Sequence, residues 1–174
     1  MPLYNPTSSG SGPTTFVRDV NAGEMIPRTT SGAGVGSYET TTNKVNYDTL
    51  EFDSAASEYG NFIVGIPVNW DGSTVTATFT WIAASGSGTV IFGLQARAVT
   101  DSSAIDQAFG TAQTATDTLT TVGDEEISPA TAAITIAGSP AAGGRAKFQV
   151  YRDVADTLAV DALLVTVSIT FGLS

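Results

Sequence analysis

The chain has 174 residues, 42% of them hydrophobic, and carries seven Lys and Arg against 17 Asp and Glu, a formal net charge of −10. That length supports a single core without covalent staples. The absence of cysteine and histidine excludes disulfides, thiolate and imidazole metal sites, cysteine nucleophiles and the Ser-His-Asp triad, and the acidic balance disfavours nucleic acid and anionic membranes as partners.

Residues 1–36 differ in composition from the rest, with Pro2, Pro6, Pro13 and Pro27 among many Gly, Ser and Thr. Residues 1–6 lack the basic and apolar regions of a secretory signal, so synthesis and assembly in the cytoplasm are expected. Such a segment cannot offset its own ordering entropy. Yet Tyr4, Phe16, Val17, Val20, Met25 and Ile26 are spaced along it like anchors. It reads either as a disordered tail or as an extended arm that orders against a neighbouring subunit. The glycine-rich residues 31–36 read as the hinge to a domain spanning 37–174.

Short extended runs follow. Residues 38–42 and 45–52 come first, the second with an ambiguous buried face, and 54–58 predict one helical turn. Residues 62–66 stop at Pro67, which lacks the ladder donor. Asn69-Trp70-Asp71-Gly72 signals a turn into residues 73–82, where Val75, Ala77, Phe79 and Trp81 alternate with threonines. One face of that strand is apolar and the other hydroxylated. The Gly/Ser-rich residues 83–88 predict a hairpin to residues 90–99, in which Val90, Phe92, Leu94, Ala96 and Ala98 oppose Gly93, Gln95 and Arg97.

Residues 101–109 predict a short capped helix, 111–121 an extended run, and 131–137 a strand. The last two strands, 145–154 and 162–171, are expected to pair, with Ala146, Phe148 and Val150 inward on one and Leu163, Val165, Val167, Ile169 and Phe171 inward on the other. Eight or nine strands with almost no helix predict an all-β, antiparallel, jelly-roll-like β-sandwich of about eight strands.

Chemistry has few candidates. Paired carboxylates are the remaining catalytic device, at Asp48, Glu51 and Asp53 or at Asp153, Asp156 and Asp161. Turn hydrogen bonding explains both groups equally simply. Asp101 and Asp106, and Asp124, Glu125 and Glu126, lack the spacing of a calcium loop. No catalytic residue, metal or cofactor is therefore assigned. Trp70, Tyr59 and Tyr151 qualify by position as exposed aromatics that stack on sugars, although a tryptophan in a turn also serves as a loop plug. Arg152 among Asp153, Asp156 and Asp161 predicts a turn held by an Arg–Asp pair.

The order Asn46-Tyr47-Asp48-Thr49-Leu50-Glu51-Phe52-Asp53, Glu58-Tyr59, Ile66-Pro67-Val68-Asn69-Trp70-Asp71-Gly72 and Thr80-Trp81, closing on Phe148-Gln149-Val150-Tyr151-Arg152-Asp153, Asp156-Thr157-Leu158 and Asp161-Ala162, resembles a group of tailed-bacteriophage structural proteins. The resemblance spans residues 38–171 and implies a jelly-roll domain of the kind found in capsid decoration (cement) proteins, head fibres and tail fibres. It further implies a homotrimer in the virion, bound to the major capsid protein or other virion proteins, with no catalytic set. On this reading the arm grips capsid or subunit through Tyr4, Phe16, Val17, Met25 and Ile26. The alternative is a fibre or appendage-tip domain that binds surface glycan through Trp70, Tyr59 and Tyr151.

Overall fold

The structure, a computed structural model, describes residue 12 and residues 14–174. Tyr4 lies outside the described residues. Among them are twelve strands: β1 (Thr15–Asn21), β2 (Ile26–Pro27), β3 (Gly34–Glu39), β4 (Asn46–Phe52), β5 (Tyr59–Gly65), β6 (Trp70–Ile82), β7 (Thr89–Val99), β8 (Gln113–Thr118), β9 (Glu126–Ile127), β10 (Ile136–Ala137), β11 (Arg145–Arg152) and β12 (Ala162–Leu173). They form a jelly-roll β-sandwich of two predominantly antiparallel sheets. The first sheet runs β3-β4-β12-β6-β9, and the second runs β10-β7-β11-β5-β2 with β8 also paired to β7. β12 has three partners: β6 lies along one edge, while β4 and then β1 share the other.

The alternation in β6 packs as its period of two requires. Val75, Ala77, Phe79 and Trp81 are buried, and Thr76, Thr78 and Thr80 stand half-buried on the opposite face. β7 and β11 supply the facing layer through Val90, Phe92, Leu94, Ala96, Phe148 and Val150. Phe92 sits at the centre, with ring centroids 5.3 Å from Phe79, 5.8 Å from Phe52 and 6.4 Å from Trp81. The Trp81 indole Nε1 donates to Asp117 at 2.8 Å, so this core tryptophan has no orphaned polar atom.

Several expectations require correction. Residues 15–36 are built into the sandwich: β1 pairs with β12 from Thr15↔Gly172 to Asn21↔Thr166, and Val20, Ala22, Met25 and Ala33 belong to the core. An arm spanning 1–36 therefore does not describe this part of the chain, because Met25 and its buried neighbours are satisfied within their own domain. Residues 83–88 do not close a hairpin, since β6 lies in the first sheet and β7 in the second. For the same reason β11 and β12 do not pair. These segments cross between layers, which a Gly/Ser turn permits as readily as it permits a hairpin.

Residues 54–58 and 101–109 form bends and turns where helix was predicted. Arg97 explains the second case, because its guanidinium takes the carbonyls of Ala104, Ile105 and Gln107 and holds the loop open. In β12 the register slips between Leu164 and Thr166, a β-bulge. Leu164 joins the core where Leu163 was expected, Val165 is buried at the bulge, and Val167, Ile169 and Phe171 point inward as expected.

Arg152 closes the corner between the sheets. It is fully buried, and all five guanidinium hydrogens are used. Nε and Nη2 donate to the two carboxylate oxygens of Asp156 at 2.7 and 3.0 Å. Nη1 donates to Phe52 O at 3.0 Å and Val160 O at 2.7 Å, and Nη2 also donates to Leu158 O. The predicted Arg–Asp pair is thus a buried bidentate clamp joining β11, β4 and the connection into β12.

Candidate functional site

The outward face of the second sheet gathers the polar, aromatic and cationic side chains that the core excludes. Alternation turns Gly60, Phe62 and Val64 of β5 inward and leaves Tyr59, Asn61 and Ile63 outward. In β11 it leaves Arg145, Lys147, Gln149 and Tyr151 outward, and in β7 it leaves Gly93, Gln95 and Arg97. Register then assembles three cross-strand rows: Tyr59–Tyr151–Gly93, Asn61–Gln149–Gln95, and Ile63–Lys147–Arg97.

In the aromatic row the Tyr59 and Tyr151 rings lie 5.7 Å apart at 32°. Gly93 makes room for them: a Cβ at that position would fall 2.3 Å from Tyr151 Cζ, so any side chain there displaces the ring. The Arg28 guanidinium sits 4.0 Å from the Tyr59 centroid, a cation–π contact, and its Nε donates to Thr30 O at 3.0 Å. Burial raises the Tyr151 hydroxyl pKa above the ordinary tyrosine value, with the Asp153 charge and Tyr59 adding to it. The hydroxyl therefore stays protonated and able to donate.

The middle row is an amide ladder. Gln95 Nε2 donates to Gln149 Oε1 at 2.7 Å, and Gln149 Nε2 donates to Asn61 Oδ1 at 3.0 Å. The chain of bonds fixes all three amides and leaves Asn61 Nδ2 as a donor at one end and Gln95 Oε1 as an acceptor at the other. A pre-oriented donor and acceptor beside two aromatic rings can bind a molecule with apolar faces and an equatorial ring of hydroxyls.

The structure separates the sequence-predicted contacts. Tyr59 and Tyr151 come together on this face. Trp70 does not: it begins β6 in the first sheet and is only 6% exposed, with its indole buried, so the loop-plug reading holds for it. Of the predicted arm contacts, Met25 is buried, Ile26 is exposed beside Asn61, and Phe16 packs on Phe171 with centroids 6.5 Å apart. Val17 is half exposed on β1. Asn61, Gln95, Gln149, Arg28 and Gly93 were missed. The alternation that sets Gly93, Gln95 and Arg97 opposite the core was their available signal.

The candidate carboxylates serve structure: Asp48 and Glu51 lie within β4, Asp156 holds Arg152, and Asp53 and Asp153 cap turns. Asp53 Oδ1 accepts from the Ala55 and Ala56 amides, and Asp153 Oδ1 from Ala155. Among the described residues no three Asp or Glu gather as metal ligands. Burial alone would raise the Glu126 pKa, but bonds from the Thr120 hydroxyl and the Thr121 and Thr120 amides outweigh it and hold the carboxylate below its ordinary value.

No protein-family model matches this chain. No curated protein matches it by sequence. Among solved structures it is similar to the CBM22-2 xylan-binding domain of Paenibacillus barcinonensis Xyn10C, with TM-score 0.48 and 16% identity over 90% of this chain and 98% of that one. It is also similar to TmCBM61 in complex with β-1,4-galactotriose, with TM-score 0.41 and 14% identity over 85% and 86% of the two chains. Infectious bursal disease virus strain Gx matches with TM-score 0.33 and 11% identity over 99% of this chain and 47% of that one. At such values these are distant likenesses among β-sandwich proteins, and the fold assignment rests on the strand pairing described above.

Proposed function

We propose that this protein is a non-catalytic glycan-binding β-sandwich whose binding surface is the outward face of the second sheet. The observation that carries the reading is the Tyr59–Tyr151 pair set beside the Asn61–Gln149–Gln95 ladder. Sugars present apolar C–H faces to aromatic rings and hydroxyls to fixed amide groups, and this face offers both on rigid strands. The resemblance to phage virion proteins supports an appendage or head-fibre domain as the setting, with a homotrimer as the assembled form.

The cement reading depended on an arm, and residues 15–36 pack into their own sandwich. One observation still favours a role in virion assembly: Phe16 and Val17 are 44% and 51% exposed on β1, at an edge of the first sheet. Attachment to a major capsid protein or neighbouring subunit through that edge is the second reading.

A glycan array probed with the full chain and with Tyr151→Ala tests the proposal. The full chain should bind a defined set of glycans, and the variant should lose them at unchanged folded circular dichroism. Equal binding by both proteins, or none by the full chain, would reject the reading. Solution mass separately tests the trimer.

A further inference from the structure

The chain's seven Lys and Arg divide unevenly. Arg18, Lys44 and Arg152 pair with Glu24, Glu39 and Asp156. The other four, Arg28, Arg97, Arg145 and Lys147, make no salt bridge among the described residues, and all four belong to one side of the molecule. Arg97, Arg145 and Lys147 stand on the outward face of the second sheet, and Arg28 covers Tyr59 at the end of that face. No Asp or Glu occurs anywhere in β5, β7 or β11. A protein of net charge −10 thus keeps these three strands free of acids and sets its unpaired cations on and beside them, the one acid of the neighbouring β8, Asp117, being turned to the Trp81 indole.

Stability does not explain the arrangement. Arg97 and Lys147 are direct cross-strand partners, and like charges placed opposite each other destabilise a sheet. Arg97 is also 4% exposed, and every acceptor it meets is neutral: the carbonyls of Ala104, Ile105 and Gln107 and the Gln107 side chain. Its Nε has no partner at all. A buried cation without a counter-charge is costly, and an anion seated above it offsets that cost. Beside it lies a cleft of about 250 Å³, lined by Ile63, Arg97, Val99, Ser103, Ile105 and Lys147. The bordering acids are Asp101 and Asp106 in the exposed loop, Glu24, whose carboxylate bonds Arg18, and, at the Tyr151 end of the face, Asp153, whose carboxylate accepts from the Ala155 amide.

We infer that the glycan bound here is acidic, its carboxylate lying in the cleft between Lys147 and Ile105 above Arg97, while neighbouring sugar units run across the amide ladder to Tyr151. This rests on the glycan-binding reading and adds the chemical class of the ligand. Lys147 contacts the carboxylate, and Arg97 deepens the local positive potential from below. Because the whole chain repels polyanions, attraction must come from this face alone.

The test compares polygalacturonate, its fully methyl-esterified form, neutral galactan and dextran sulfate by affinity electrophoresis and calorimetry. The variants are Lys147→Gln, Lys147→Arg and Tyr151→Ala. The expected result is polygalacturonate binding that weakens about tenfold on methyl esterification or in Lys147→Gln, the scale of one charge-assisted bond. Lys147→Arg should retain it and Tyr151→Ala should lose it. Galactan bound as tightly as polygalacturonate would overturn the charge inference and leave glycan binding intact. No binding to any of these polymers, followed by a silent glycan array, would overturn both. Dextran sulfate bound in preference, or polygalacturonate binding indifferent to Tyr151→Ala, would reduce the face to a sulfate site or a simple ion exchanger and also overturn the inference.

Discussion

Replacing Asp156 by Asn removes one charge from the Arg152 clamp while keeping the side-chain shape. In the native chain both ions are almost solvent-free, at 0% and 2% side-chain exposure, and Asp156 also accepts from the Ile91 amide at 3.3 Å. The substitution leaves a buried guanidinium facing only neutral acceptors. Breaking one side of such a pair costs about 3–5 kcal/mol, a large share of the roughly 5–15 kcal/mol that stabilises an ordinary domain. For a chain of this size about 1 kcal/mol moves the melting temperature by roughly 2–4 °C, so a fall of about 6–20 °C is expected. Reversible urea unfolding followed by tryptophan fluorescence, alongside calorimetry, measures it. The double variant Arg152→Met with Asp156→Leu removes both charges but orphans the carbonyls of Phe52, Val160 and Leu158 and the Ile91 amide, so it should recover little of the loss. A loss below about 1 kcal/mol for Asp156→Asn alone would show that water or another group compensates Arg152, and the clamp argument would fail.

Three further outcomes are expected. Trp70→Ala should lower stability by about 3–5 kcal/mol in urea unfolding, as for a core aromatic, and should leave glycan-array binding by the folded fraction unchanged. Gly93→Ala should leave the melting temperature near or slightly above that of the native chain, since alanine suits a strand better. It should nonetheless displace the Tyr151 ring and abolish glycan binding, a dissociation visible by pairing calorimetry with the array. Glu126→Gln should lower the melting temperature at pH 7, with the gap closing on acidification. The native carboxylate has a folded-state pKa below its ordinary value, so its contribution is present above roughly pH 4.3, the unfolded carboxylate value. It is lost as pH falls through the lower folded-state value.

The fold was legible wherever alternation was long. Val75 to Trp81 and Val90 to Ala98 announce their buried faces because nothing interrupts the period of two. Partner choice was less legible, since pairing depends on which sheet each strand enters. The loop at 83–88 is short enough for a hairpin but carries the chain from one layer to the other. The bulge at Val165 put Leu164 in the core where Leu163 was expected, because a local insertion leaves no mark in hydropathy. Arg152 and Asp156 were readable as a pair from spacing alone, although their complete burial was not. At the candidate site Tyr59 and Tyr151 stood out as aromatics. Asn61, Gln95 and Gln149 come from three strands far apart in sequence, and only the register aligns them.

The three-way pairing of β12 also governs when the protein can fold. β1 opens the described strand order and β12 closes it, yet Thr15 finds its backbone partners at Gly172 and Asn21 at Thr166. β4 and β6 wait for the same strand. The first sheet therefore cannot close on a growing chain, and its edges stay open until translation has delivered β12. During that interval the alternating apolar strand β6 is an unpaired template for other chains. High expression rates should therefore favour aggregates of incomplete chains, and slower synthesis should raise soluble yield without any change in the stability of the finished protein.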